Sequence, residues 1–305
     1  MRPISVPERS LGQLARSIVA VADAFETDTY DTSKPYKPTC QARRDGYAQH
    51  HYTGAWSRQP VDNLHMHAVG YLRRAEDHLR TIALAATAPK ILYSPISLAR
   101  IVTVSSGHCF YLLDPGIEVR ERMRRALNLH AHMLAEQRNL IGDPTSPAAQ
   151  LLQTQITQLC ADARRMGFTV AGAAQPWSPH YFDKKIPSDT DIVGWVLDAD
   201  GSGGGHGKFA FRLFSAAVHS QPNIEALLHK HVISPSREGM STAMPGLTLE
   251  TLAAVVAAAA CAFYEAHLRM RTYFGITDPT IESAALTALQ EMSMLATPPT
   301  PTRTR

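Results

Sequence analysis

An all-α, multi-helix bundle with long connecting loops is the architecture expected of this chain. Apolar residues return every three or four positions through several long stretches, which is the spacing of one helix face. Prolines and polar clusters separate those stretches, and there is neither a regular strand–helix alternation nor an internal repeat. The 305 residues are 45% hydrophobic and 19% charged, with 18 glycines and 20 prolines, which excludes a collagenous or wholly disordered polymer. A chain this long buries roughly three quarters of the surface its unfolded state exposes, so its core requires no disulfide or structural metal.

The first helix is expected over Leu11–Glu26. A polar and aromatic connection follows through residue 60, readable as a lid or a surface loop, with His50, His51, Tyr52 and Trp56 available to a ligand. Leu64, Val69, Leu72, Leu79 and Ile82 give an apolar face to a helix over Val61–Ala86. Pro89 and Pro95 punctuate the next connection, and helices over Ile96–Leu113 and Glu118–Leu140 flank Asp114 and Pro115.

Pro144 and Pro147 break the chain before a helix over Ala148–Met166. Residues 167–191 read as a connector with room for a short extended segment, after which Ser188 or Thr190 caps a helix containing DIVGWVL. Beyond DADGSGGGHG, helices are expected over Lys208–Ser220, Asn223–Lys230, Thr248–Tyr273 and Ile281–Ala296. Residues 1–297 form one predominantly helical domain, with a subdivision near 142–147 as the alternative, and residues 298–305 form a flexible tail.

Lys and Arg number 30 against 27 for Asp and Glu, a net +3 that selects no partner by charge. Fourteen histidines link the protein's charge to pH below about 6.5. Cys40, Cys109, Cys160 and Cys261 stand far apart with no CxxC pair, as expected of reduced cysteines in a cytoplasmic protein. The N-terminal segment lacks the cleavage pattern of a signal peptide. TLAAVVAAAACAFY is a run of 14 residues between Glu250 and Glu265, short of the roughly 20 a spanning helix uses, so a core helix and no stable membrane insertion are expected.

Several motifs fail on inspection. GSGGGHGK has Ser202 where a P-loop needs its first glycine and Phe209 where it needs Ser or Thr. The calcium-loop opening at Asp198, Asp200 and Ser202 ends on Phe209 in place of a bidentate glutamate. His132 with Glu136, Glu265 with His267, and Glu76, Asp77 and His78 match no HExxH or helical di-iron spacing, so no metal and no cofactor is expected.

FRLFSAAVH carries the sharper signal. Arg212 and His219 are seven steps apart on one helix, about two turns, and so share a face. A guanidinium neutralises phosphate charge, an imidazole transfers a proton, and Ser215 stands between them to orient either group or the substrate. A packed structural role for His219 stays open beside that reading. Lys208 adds a phosphate contact beside the glycine-rich turn.

This RxxxxxxH spacing resembles that of the higher eukaryote and prokaryote nucleotide-binding (HEPN) helical superfamily. The resemblance implies a helical bundle with metal-independent ribonuclease activity, often sited at a dimer interface. Arg212 would hold the scissile phosphate and His219 would assist proton transfer at the ribose hydroxyl. RNA is then the partner and a homodimer the implied assembly. SLAR, YLLDPGIEVRERMRRALNL and FRLFSAAVH also resemble an actinobacterial all-helical protein group, which implies the architecture and no substrate.

Two other functions stand beside the ribonuclease. One is a small-molecule lyase, cyclase or transferase with an enclosed helical pocket, lined or closed by Trp56, Trp177, Tyr181, Trp195 and His219. The other is a non-enzymatic interaction protein whose amphipathic helices bury a partner. A convergent pocket favours the former enzyme, and a basic groove across Arg212 and His219 favours RNA.

Overall fold

The computed structural model describes residues 8–29, 37–53, 59–88, 93–172, 180–199, 205–219, 232–235, 241–244, 248–277 and 279–297. The described chain is overwhelmingly helical, as the periodicity predicts. Its centre is a layer of long helices: α1 (Glu8–Thr29), α4 (Pro60–Thr87), α5 (Ser94–Leu112), α10 (Leu249–Phe274) and α11 (Pro279–Ala296). On α4, Leu64, Ala68, Leu72, Ala75, Leu79, Ile82 and Ala86 recur at helical spacing and all are buried. α4 packs on α1 and α5, and α10 packs on α5 and α11, so the five helices close on one apolar core.

The helix ends follow local chemistry. Pro60 and Pro147 stand at the first helical positions, where the missing N–H costs nothing. Ser146, Ser188 and Thr248 accept the N–H groups of Ala149, Asp191 and Thr251, capping α7 (Pro147–Arg165), α8 (Asp189–Leu197) and α10. Of the two cap candidates before DIVGWVL, Ser188 is the one used.

α10 is the one described helix with the length and composition to cross a membrane, with a mean hydropathy of 1.5 over its most apolar window. Ala253, Val256, Ala260, Phe263 and Met270 on this helix lie in the protein core. Its small alanines allow close approach to α5 and α11.

A second, smaller core lies behind α6 (Val119–Ile141), where Met123, Leu127, Ala131 and Leu134 meet Ile156, Leu159 and Ala163 of α7. The opposite side of α6, through Ala126 and Leu129, packs into the main core. α6 is therefore shared by both cores. The connector after α7 contains β1 (Val170–Gly172) and β2 (His180–Phe182), an antiparallel pair in register Val170↔Phe182 and Gly172↔His180.

Two features depart from the expected layout. Within the connection before residue 60 stand two helices, α2 (Gln41–Ala48) and α3 (His50–Thr53). Their reason is tertiary: Asp45 on α2 is buried against α6 and α10, and Gln49 Oε1 accepts the Val61 N–H at the start of α4. Residues 232–235 and 241–244 form a second antiparallel pair, β3 and β4, where no strand was expected. The glycine-rich residues 201–204, the expected helix over Asn223–Lys230 and the tail 298–305 lie outside the described residues.

The buried polar centre of the fold is Arg122 on α6. Its Nε donates to Asp45 Oδ2 at 2.6 Å, Nη1 to Leu112 O at 2.9 Å, and Nη2 to Asp114 O at 2.8 Å and Ile117 O at 3.3 Å. Tyr273 donates its hydroxyl to the same Asp45 oxygen at 2.8 Å, and its ring lies 4.5 Å from the guanidinium carbon. His65 on α4 completes the cluster, 3.0 Å from the Tyr273 hydroxyl. One side chain thus ties the α5–α6 turn to α2 and α10.

Burial, reinforced by the Arg122 charge, lowers the His65 pKa to about 4. The unfolded chain therefore binds a proton that the folded chain refuses between pH 6.5 and about 4, so stability rises with pH across that window. The expected outcome is a loss of about 3 kcal/mol from this residue as pH falls through it. Urea unfolding at a series of pH values measures the slope, which becomes shallower by up to one proton in His65→Asn.

Candidate active site

α6 also builds the candidate site. Arg124 Nε and Nη2 grip both oxygens of Glu121, while Arg124 Nη1 donates to Lys184 O at 2.7 Å. Arg125 donates to Glu121 Oε1 at 2.9 Å and to the Tyr111 carbonyl oxygen. The two guanidinium groups outweigh the opposing effect of burial and hold the Glu121 carboxyl down at about 2. Asn128 then pins β2: its Oδ1 accepts the Phe182 N–H at 2.7 Å, and its Nδ2 donates to Lys184 O at 2.8 Å and Phe182 O at 3.3 Å. The RERMRRALN run is thus a set of side-chain clamps that fix the strand and the segment after it.

Between that strand, α4, α5 and α6 lies a cavity of about 660 Å³, within the range of small-molecule sites. Tyr71, His108, His132, His180, Tyr181, Lys185 and Asp189 bring chemistry to its wall, and Leu129, Ile186 and Pro187 supply apolar surface. Two other hollows lack such a set. One of about 310 Å³ between α4 and α6 is lined by amides, His67 and His130, and one of about 750 Å³ at the α6–α7 turn by Arg138, Asn139, Gln150 and Gln153.

The central pair is His108 on α5 and Asp189 at the first turn of α8, with Nε2 3.2 Å from Oδ1. The hydrogen bond from His108 holds the Asp189 carboxyl below the ordinary carboxylate range, and the charges of His108, Arg100 and His132 act with it against burial. The N-terminal end of α8 favours the same ionised state. An ionised carboxylate only accepts, so His108 Nε2 carries the proton of this hydrogen bond, and Nδ1 is the ring nitrogen left for a ligand. The Tyr71 ring stacks on the imidazole at 5.0 Å and 14°. Burial raises the Tyr71 hydroxyl pKa and lowers that of His180, keeping both neutral.

Close helix packing makes the pair. Gly107 precedes His108, and a Cβ there would lie 2.7 Å from Ile192 Cγ2 and 3.3 Å from the Ile192 backbone. Glycine lets α8 approach α5 closely enough for Asp189 to reach His108. α9 (His206–Val218) rides on α8 through a similar contact, where a Cβ at Gly207 would lie 2.8 Å from Gly194 O.

The residues singled out from sequence fall in several places. Tyr181 lines the cavity from β2. Trp195 is on α8, 46% exposed and stacked on Tyr111 at 6.1 Å, away from the cavity wall. Lys208 is paired with Asp191 at 2.7 Å, across Gly194. Ser215 accepts from Arg100 Nε at 3.0 Å, turning toward α5. Arg212 and His219 are both exposed, on α9 and at its C-cap, and their side chains form no hydrogen bond or ion pair among the described residues. Trp56 and Trp177 lie outside the described residues.

His108, Asp189, Tyr71 and Lys185 were not anticipated, and His132 was weighed only with Glu136 as a metal pair. The one local signal was the small-residue run Ser105–Ser106–Gly107 before His108, which marks a close helix approach. Nothing along the chain pairs positions 81 apart. Among the described residues no group of three or more His, Cys, Asp or Glu side chains is placed to hold a metal ion. No protein-family model, curated protein or solved structure matches this chain. The likeness to the HEPN superfamily therefore rests on Arg212 and His219 themselves.

Proposed function

We propose that this chain is a small-molecule enzyme of the lyase or cyclase class, in which His108, oriented by Asp189, transfers a proton on a ligand held in the 660 Å³ cavity. The observation that carries this reading is the His108–Asp189 hydrogen bond in the wall of a cavity also lined by Tyr71, Tyr181 and Lys185. His108 Nδ1 takes the proton from a substrate C–H. The released electron pair forms a new bond within the ligand as a leaving group departs or a ring closes. Asp189 stabilises the imidazolium formed in that step, and such base catalysis contributes typically 10²–10⁴-fold.

The test is exchange in D2O across a panel of small organic acids, amines and aromatic compounds, read by mass spectrometry. Deuterium should enter at least one compound that binds the cavity, and the label should be lost in His108→Gln. Binding in the cavity with no exchange for any bound compound overturns the reading.

The ribonuclease reading is a second proposal. It is supported by the exposure of both Arg212 and His219, separated by two turns at the solvent side of α9. In that reading a second copy of the chain completes the site. RNA cleavage should persist in chelator and fall by at least 100-fold in His219→Ala while the unfolding curve stays unchanged; intact RNA after incubation with the folded wild type overturns it.

A further inference from the structure

We infer that the cavity beside His108 and Asp189 takes an aromatic monocarboxylate, with the carboxylate at Lys185 and the ring against Tyr181. This rests on the small-molecule reading of the same cavity and adds the class of its ligand.

Part of the polar wall is already engaged by the protein itself. Asn128 is consumed by Phe182 and Lys184, and Ser188 by Asp191. Among the described residues, the Lys185 ammonium, the Tyr71 and Tyr181 hydroxyls and the His132 ring make no hydrogen bond, and all four can donate. On the accepting side, Asp189 Oδ1 is already occupied by His108, which leaves Asp189 Oδ2 and the Nδ1 atoms of His108 and His180. A ligand that complements this wall brings an acceptor to Lys185, the one group there that can only donate.

Charge then chooses the anion. Lys185 is the one permanently cationic side chain in the described lining, and Asp189 lies in the same wall. One cation matches one negative charge, whereas a phosphate dianion would carry a second charge toward the Asp189 carboxylate. The ligand's body is set by the remaining volume. A carboxylate fills a small part of 660 Å³, and the rest is bounded by the Tyr181 ring, Leu129, Ile186 and Pro187. Lys185 Nζ already sits 5.4 Å from the Tyr181 ring centroid, so cation and aromatic face are adjacent and one ligand can meet both.

The experiment is calorimetric or ligand-observed NMR titration of the full chain with 4-hydroxyphenylacetate, its neutral amide, hexanoate and phenyl phosphate. The aromatic acid should bind at least tenfold more tightly than each of the other three. Lys185→Met should remove most of the preference for acid over amide, while Tyr181→Leu should weaken the acid and the amide together. Equal binding of acid and amide, tighter binding of phenyl phosphate or hexanoate, no binding by any of the four, or an unchanged preference in Lys185→Met overturns the inference. The titrations are repeated on His108→Gln. Selective binding there with no exchange in the wild type defeats the catalytic reading and leaves this one standing. Exchange in the wild type without a carboxylate preference does the reverse.

Discussion

Asp45→Ala is expected to destabilise the protein by about 3–5 kcal/mol, the range for removing one partner of a buried ion pair. Arg122 is wholly buried, and Asp45 is the carboxylate that meets it. Without Asp45 the guanidinium stays charged in a medium that solvates it poorly, and Tyr273 loses its acceptor as well. Urea unfolding followed by circular dichroism measures the loss. The double variant Asp45→Ala, Arg122→Met separates two contributions. If the cost were only the stranded charge, the double variant would recover fully. Partial recovery is expected, because Arg122 also satisfies the carbonyls of Leu112, Asp114 and Ile117, and methionine leaves them without a donor.

His108→Gln should lower proton exchange by about 100-fold or more, the scale set by losing a positioned general base. Glutamine keeps a hydrogen-bond donor within reach of Asp189 and removes the titratable nitrogen, so the cavity should survive while its chemistry is lost. Asp189→Asn is the complementary change. It removes the charge that stabilises the imidazolium and releases the constraint that puts the proton on His108 Nε2. Its rate against pH should therefore shift as well as fall, whereas a side chain with a merely structural role would leave the profile's midpoint in place. Equal exchange in the wild type and His108→Gln would remove His108 from the mechanism.

These two predictions draw on different kinds of information. The apolar spacing of Leu64, Leu72, Leu79 and Ile82 is a local property, since a helix brings residues three and four apart onto one face wherever it lies. Caps such as Ser146 and Ser188 are equally local, satisfying N–H groups three residues away. The buried cluster is different. RERMRR holds four arginines in six positions, yet Arg122 is wholly buried and its partners lie on α2, on α10 and in the α5–α6 turn. The segment holding Asp45 therefore looked like a loop, because what orders it is a charge 77 positions away.

The amino-acid sequence alone determined the long helices and most of their ends, and left room for a short extended segment within residues 167–191. Tertiary structure decided which histidine meets a carboxylate, which arginine is buried, and that Tyr181 faces a cavity while Trp195 stacks on Tyr111 outside it. The physical reason is range. Helix periodicity and capping act over three or four residues, whereas the His108–Asp189 pair exists because Gly107 lets two helices distant in the chain touch.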